Sequence, residues 1–172
     1  DTHPISTLLH EHSALAFWDY AACGPYVDID MNPRGVEHPL SYKDAVFLSP
    51  HKFVGGPGTP GVLLVRRELV TNTVPDSVGG GTVAYVNPTE HLYLTDPEHR
   101  EEAGTPASVE SIRAGLVFDL KDAVGVDGIQ AREEDFVRRA IDSWNTNPPI
   151  EGHGTTDPQR LSIPSFVVRR PN

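Results

Sequence analysis

The sequence contains one cysteine, Cys23, in 172 residues. A lone cysteine excludes an internal disulfide and suits a reducing compartment. Cations are scarce as well: 14 Lys and Arg stand against 24 Asp and Glu, for a formal net charge of −10. Nucleic-acid and anionic-membrane surfaces need clustered Lys and Arg, so neither partner is expected. No apolar run approaches the ~20 residues that a membrane-spanning helix requires. A soluble, cytoplasmic protein is the expectation. Nucleotide signatures are missing too. The stretch Gly55 to Gly61 lacks the Gly-Lys-Ser/Thr ending of a P-loop, and a strand rather than a helix is expected after it. His10 and His12 are two residues apart and cannot share a helix face, while His91, His99 and His153 have no ligand spacing. No metal site is expected.

What is present is enough for a packed core. Apolar residues make up 38% of the chain and are spread throughout, unlike a disordered composition. The length suggests one domain, or one and a fraction. The chain opens at Asp1 in a pattern that already reads as helix and stops at Asn172 just past a strand-like run. An internal piece of a longer protein is therefore expected.

Ile5, Leu8 and Leu9 mark a helix face over Ile5 to His12. Two short runs, Leu15-Ala16-Phe17-Trp18 and Ala45-Val46-Phe47-Leu48, are apolar on both faces, as in a parallel sheet covered by helices. The first ends at Asp19 and the second at Ser49-Pro50-His51-Lys52. Gly61 to Val65 follows Lys52 after a turn too short for a helical crossover, so it should run antiparallel. Gly24 to Ser41 reads as a Pro- and Gly-bearing loop without clear periodicity, residues 72–104 read as irregular, and the charged run Glu98 to Glu102 reads as a solvated loop. A helix should then open with Thr105 as N-cap and Pro106 at its first position. Val109, Ile112, Leu116 and Leu120 give it an apolar face, and Gly125 ends it. A second helix is expected from about Gly128 to Trp144, stopped by Pro148-Pro149, and Leu161 to Val168 reads as strand except at Pro164, which suits an edge or a first strand.

Lys52 and Asp19 carry the chemical argument. Both end buried strands, and in open α/β sheets ligands collect at the carboxyl ends of strands. A partly desolvated lysine there can form a Schiff base with an aldehyde. A carboxylate can keep a pyridinium nitrogen protonated, so that the ring serves as an electron sink.

Four motifs in order give a family resemblance. They are Asp19; Ser49-Pro50-His51-Lys52 with Gly55-Gly56-Pro57 and the strand from Gly61; Gly79-Gly80-Gly81; and Glu102-Ala103-Gly104-Thr105-Pro106. Together they resemble the aminotransferase class V and cysteine desulfurase family of pyridoxal 5'-phosphate (PLP) enzymes. The resemblance implies an α/β fold, part of a fold-type-I PLP-dependent large domain with a mainly parallel sheet, plus the start of a small α+β C-terminal domain. Residues 1–125 would be the C-terminal half of the large domain, and residues 126–172 the connecting helix and start of the small one. It further implies that Lys52 is the catalytic, cofactor-bearing lysine, that Asp19 meets the pyridinium nitrogen, and that Ser49 and His51 contact the phosphate. Thr105 would reach the phosphate of a neighbouring subunit in a homodimer with shared active sites. The substrate would be a small amino acid or amine.

Two departures stand out. The family's usual glutamine three residues after the aspartate is Ala22 here, and the desulfurase cysteine of the C-terminal region has no counterpart in Cys23, which reads as a small packed residue. Desulfurase, selenocysteine lyase, aminotransferase, epimerase and kynureninase-like chemistries all stay open. So does a non-catalytic binding or scaffold protein derived from that fold.

Overall fold

A computed structural model describes residues 2–33 and 39–170. Helix α1 (His3–Glu11) leads into strand β1 (Phe17–Asp19), followed by β2 (Ala45–Leu48) and β3 (Val62–Val65). These strands form one sheet in the order β1-β2-β3, with β1 parallel and β3 antiparallel to β2. Both orientations agree with the sequence reading. A hairpin of β4 (Val83–Val86) and β5 (His91–Tyr93) precedes the short helix α2 (Pro97–Arg100). Helices α3 (Ser108–Val124) and α4 (Val126–Asn145) then lead to an antiparallel pair, β6 (Ile150–His153) and β7 (Ser165–Val168). No helix among the described residues is long and apolar enough to cross a membrane.

One face of the three-stranded sheet is packed. Val46 and Leu48 are buried with Tyr20, and Trp18, Val62 and Phe118 close around them. The other face is open: Phe17, Phe47 and Leu63 are 51%, 41% and 54% exposed. The expectation of strands covered on both sides is therefore met on one side within this chain. Helix α1 departs likewise, because Ile5 and Leu8 are exposed and Ser6 is its buried residue. Ser6 accepts a hydrogen bond from Nε1 of Trp18 at 3.0 Å, which ties the helix to β1.

Three further expectations are corrected. Helix α3 begins at Ser108, not Pro106, and its N-cap is Ala107, so Thr105 does not cap it. Gly104 lies at φ +93°, and the residue before a proline avoids helical dihedrals, so Thr105 and Pro106 stay outside the helix. The Ser108 N–H instead bonds the Pro106 carbonyl. Residues 72–104 are not wholly irregular, since they contain the β4–β5 hairpin. Nor is Glu98 to Glu102 simply solvated: Arg100 is 6% exposed and donates to the carbonyls of Leu94 and Thr95. Gly125 does end α3, at φ +84°.

The start of the sheet is set by a buried polar clamp. Asp44 brackets Ala16: its N–H donates to the Ala16 carbonyl at 2.9 Å, and its Oδ2 accepts the Ala16 N–H at 2.7 Å. Oδ2 also accepts from Nε2 of His10 at 2.8 Å, while Nδ1 of His10 faces the Leu40 carbonyl at 2.7 Å. Both ring nitrogens meet acceptors, so the ring is satisfied only when doubly protonated. The His10 and Asp44 side chains are 6% and 5% exposed. The ring stacks on Tyr42, over whose ring lies the guanidinium of Arg66, itself paired with Glu68.

Burial alone would lower the His10 pKa. The Asp44 hydrogen bond, the Leu40 carbonyl and the Asp44 charge outweigh burial and the opposing charge of Arg66, leaving it above its ordinary value. A raised native pKa contributes stability that is complete below the unfolded value of about 6.5 and is lost as pH rises through the native value. Urea unfolding of the intact protein should show His10→Gln less stable than wild type by about 2 kcal/mol at pH 5.5. That gap should shrink as pH rises through the His10 titration. A gap that is constant or widens toward alkaline pH would contradict the clamp.

Candidate active site

Because β1 and β2 are parallel and Asp19 pairs with Phe47, Asp19 and the residues after Leu48 leave the sheet at the same edge. The Tyr20 N–H donates to the Phe47 carbonyl at 2.9 Å, extending the ladder one step beyond Asp19. Asp19 is exposed, and its Oδ1 accepts the Ala21 N–H at 2.7 Å in a local turn. Its second oxygen takes no hydrogen bond from another described residue.

Beyond β2 the backbone winds into a single 3-10 turn, Pro50–Lys52. Pro50 is buried at its start and fixes φ, while His51 and Lys52 project outward, exposed, and Ser49 is half-buried. The Lys52 N–H bonds the Ser49 carbonyl, and the Phe53 N–H bonds the Pro50 carbonyl. The turn then folds back on itself. A Cβ on Gly56 would lie 1.9 Å from the Pro50 carbonyl oxygen, so no side chain fits there. The Gly56 carbonyl accepts both the N–H and the hydroxyl of the buried Thr59. Phe53 is 4% exposed and stands edge-on to Phe118 of α3, with ring centroids 5.1 Å apart. It anchors the turn from below while Lys52 stays free above.

The side chains of Ser49, His51 and Lys52 make no hydrogen bond or ion pair with other described residues. Lys52 borders a cleft of about 530 Å³ walled by Phe53, Val54, Val117 and Ile129. Thr105 is elsewhere: it is exposed and lines a different cleft, with Pro60 to Leu63. Within this chain the structure thus groups Asp19, Ser49, His51 and Lys52 along one edge and leaves Thr105 apart. Ala22 is exposed and offers no side-chain donor. Cys23 is half-buried, and burial raises its thiol pKa, which disfavours the nucleophilic thiolate.

The donor set agrees in kind with PLP. A primary amine suits its aldehyde, a carboxylate suits its pyridine nitrogen, and a hydroxyl and an imidazole suit its phosphate. All four lie on one strand edge beside a turn too tight for any side chain at Gly56. Residues that sequence reasoning did not single out are Phe53, Arg113 and Lys121. The last two donate across long separations to Pro57 and to Gly24 and Val27.

A family model described as aminotransferase class-V matches residues 1–172. A cysteine desulfurase of Dickeya dadantii is 32% identical over 153 residues, covering 87% of this chain and 36% of that protein. A probable cysteine desulfurase of Halobacterium salinarum is 27% identical over 164 residues, covering 95% and 37%. Among solved structures, the cysteine desulfurase CsdA of Escherichia coli superposes with a TM-score of 0.80 at 21% identity, covering 98% of this chain and 39% of that one. The chain thus spans little more than a third of the length of these relatives.

Gly56→Ala should be among the most damaging single substitutions in the turn. With its Cβ 1.9 Å from a backbone oxygen, the strain cannot be relieved by a rotamer change. A loss of about 3 kcal/mol or more is expected in urea unfolding of the intact protein, or failure to accumulate folded. Wild-type stability in that variant would contradict the turn geometry.

Proposed function

The chain belongs to the aminotransferase class-V family, and from that premise we propose that it is the lysine-bearing part of a PLP-dependent enzyme acting on a small amino acid or amine. The observation that carries this reading is the placement of Asp19 and Lys52 at the carboxyl ends of adjacent parallel strands. Relatives named cysteine desulfurase support the same group of reactions.

In this reading the four residues divide the work. Lys52 supplies the amine that attaches the cofactor and, once released, moves a proton at the substrate through Nζ. Asp19 stabilises a proton on the pyridine nitrogen by its charge. The Ser49 hydroxyl and the His51 imidazole donate to the phosphate. Bound PLP supplies the electron sink that such chemistry needs. Thr105 serves a second subunit, which its exposure and its separate cleft support, so the active protein is a homodimer with shared sites. Residues 1–125 form the later half of the large domain, and residues 126–172 begin the small one. Ala22 favours a second reading, a scaffold without turnover, because it removes a usual side-chain contact. The free Lys52 and the intact Ser49-Pro50-His51-Lys52 turn weigh against it.

Two tests apply to the intact protein loaded with PLP. Borohydride reduction followed by peptide mapping should place the label on Lys52, and a label on any other lysine would sink the assignment. Asp19→Asn should keep PLP bound yet lower turnover about a hundredfold, since the ring nitrogen loses its counter-charge. Near-normal turnover in that variant would reduce Asp19 to a loop residue.

A further inference from the structure

Helix α3 grips both loops of the candidate site through charged side chains. Arg113 donates from Nη1 to the Pro57 carbonyl at 3.0 Å, in the turn that follows Lys52. Lys121 donates from Nζ to the carbonyls of Gly24 at 2.9 Å and Val27 at 2.5 Å, in the loop that follows Asp19. Arg113, Val117 and Lys121 are spaced four apart and so share one ridge of the helix. Val117 is buried between the two cations, with Cγ1 3.5 Å from where a Cβ on Gly55 would sit.

The two loops also meet each other through Phe53. A Cβ on Gly24 would lie 3.3 Å from Cζ of Phe53 and 2.8 Å from the Tyr20 carbonyl, so Gly24 lets the Asp19 loop close onto that ring. The Gly24 N–H bonds the Tyr20 carbonyl at 2.7 Å. Nζ of Lys121 lies 5.9 Å from the centre of the Phe53 ring. The ammonium therefore touches the Asp19 loop and approaches the anchor of the Lys52 turn at once. Asp19 itself has only the local Ala21 contact to hold its side chain. Tyr20 fixes where the Asp19 loop begins, and Cys23 and Val27 pack apolar surface onto the sheet core; Lys121 adds the charged contacts to the loop backbone.

We propose that Lys121 is a positioning residue for the Asp19 carboxylate, setting the loop after β1 against the Lys52 turn through its bonds to Gly24 and Val27. Arg113 does the same for the turn itself. The proposal rests on the PLP reading given above. A charged donor shared by two carbonyls is stronger than a neutral hydrogen bond, and removing it leaves both acceptors to reorganise the loop. Small displacements of a charge facing a cofactor change the proton affinity of groups attached to that cofactor.

The test uses the intact, PLP-loaded protein and three variants, Lys121→Met, Lys121→Arg and Val137→Ala. Val137 is 3% exposed in α4, lines neither the cleft beside Lys52 nor the one beside Cys23 and Val27, and serves as a control for lost stability. The readouts are the pH midpoint of the cofactor's visible absorbance and, separately, thermal unfolding without PLP. Lys121→Met should move the midpoint by about half a unit or more. Lys121→Arg, which keeps a donor for the carbonyls, should restore most of that shift. Val137→Ala should lower the unfolding temperature and leave the midpoint where it is. A wild-type midpoint in Lys121→Met, or an equal shift in Val137→Ala, would overturn the positioning role. A wild-type protein showing no PLP absorbance at all would instead overturn the cofactor reading, and this inference with it.

Discussion

Parallel pairing of β1 with β2 is the constraint on which the rest depends. Two parallel strands deliver the residues that follow them to one edge of the sheet, so Asp19 and Lys52 share a surface although 33 positions separate them in sequence. The pairing is only three residues deep, too short to hold its own register. Register is supplied from outside the ladder by Asp44, whose backbone and carboxylate both bind Ala16, and by His10, which holds that carboxylate. A buried charge pair recovers little net stability after desolvation, so its value here lies in the geometry it imposes. That geometry is the alignment that puts Asp19 opposite Phe47.

The second determinant lies below the edge. Pro50, Gly56 and Phe53 shape the turn so that Lys52 points away from the core, and α3 braces the turn from beneath. Above the edge and on the far face of the sheet, Phe17, Phe47 and Leu63 remain exposed, as do Val109, Ile112 and Leu116 along α3. Burying a large apolar side chain contributes about 1.5–3 kcal/mol, so such faces are strong seats for further polypeptide. The relatives are nearly three times as long as the region they share with this chain, in agreement with that picture.

Much of this was legible in the sequence. The apolar runs before Asp19 and Ser49 marked β1 and β2, and the short glycine-rich link before Val62 dictated the antiparallel third strand. The β4–β5 hairpin was missed although its turn chemistry is explicit. Asn87 accepts the Thr89 and Glu90 N–H groups, a pattern typical of asparagine in turns. Strand β6, Ile150-Glu151-Gly152-His153, carries no strand signature and exists only through its pairing with β7. Thr105 misled because a hydroxyl before a proline reads as a cap, whereas Gly104 redirects the chain there. Lys121 was invisible for a simpler reason: its acceptors are backbone carbonyls 94 and 97 residues away, and no local pattern records such a contact.

The central claim is that Asp19 serves the ring whose aldehyde Lys52 receives. It is tested most directly by the 15N resonance of the pyridine nitrogen in intact protein reconstituted with 15N-labelled PLP. The account predicts a protonated nitrogen throughout the neutral pH range, with a resonance that moves toward the unprotonated position when Asp19 is replaced by Asn. An unprotonated nitrogen in the wild-type protein, or one unaffected by that replacement, would contradict it.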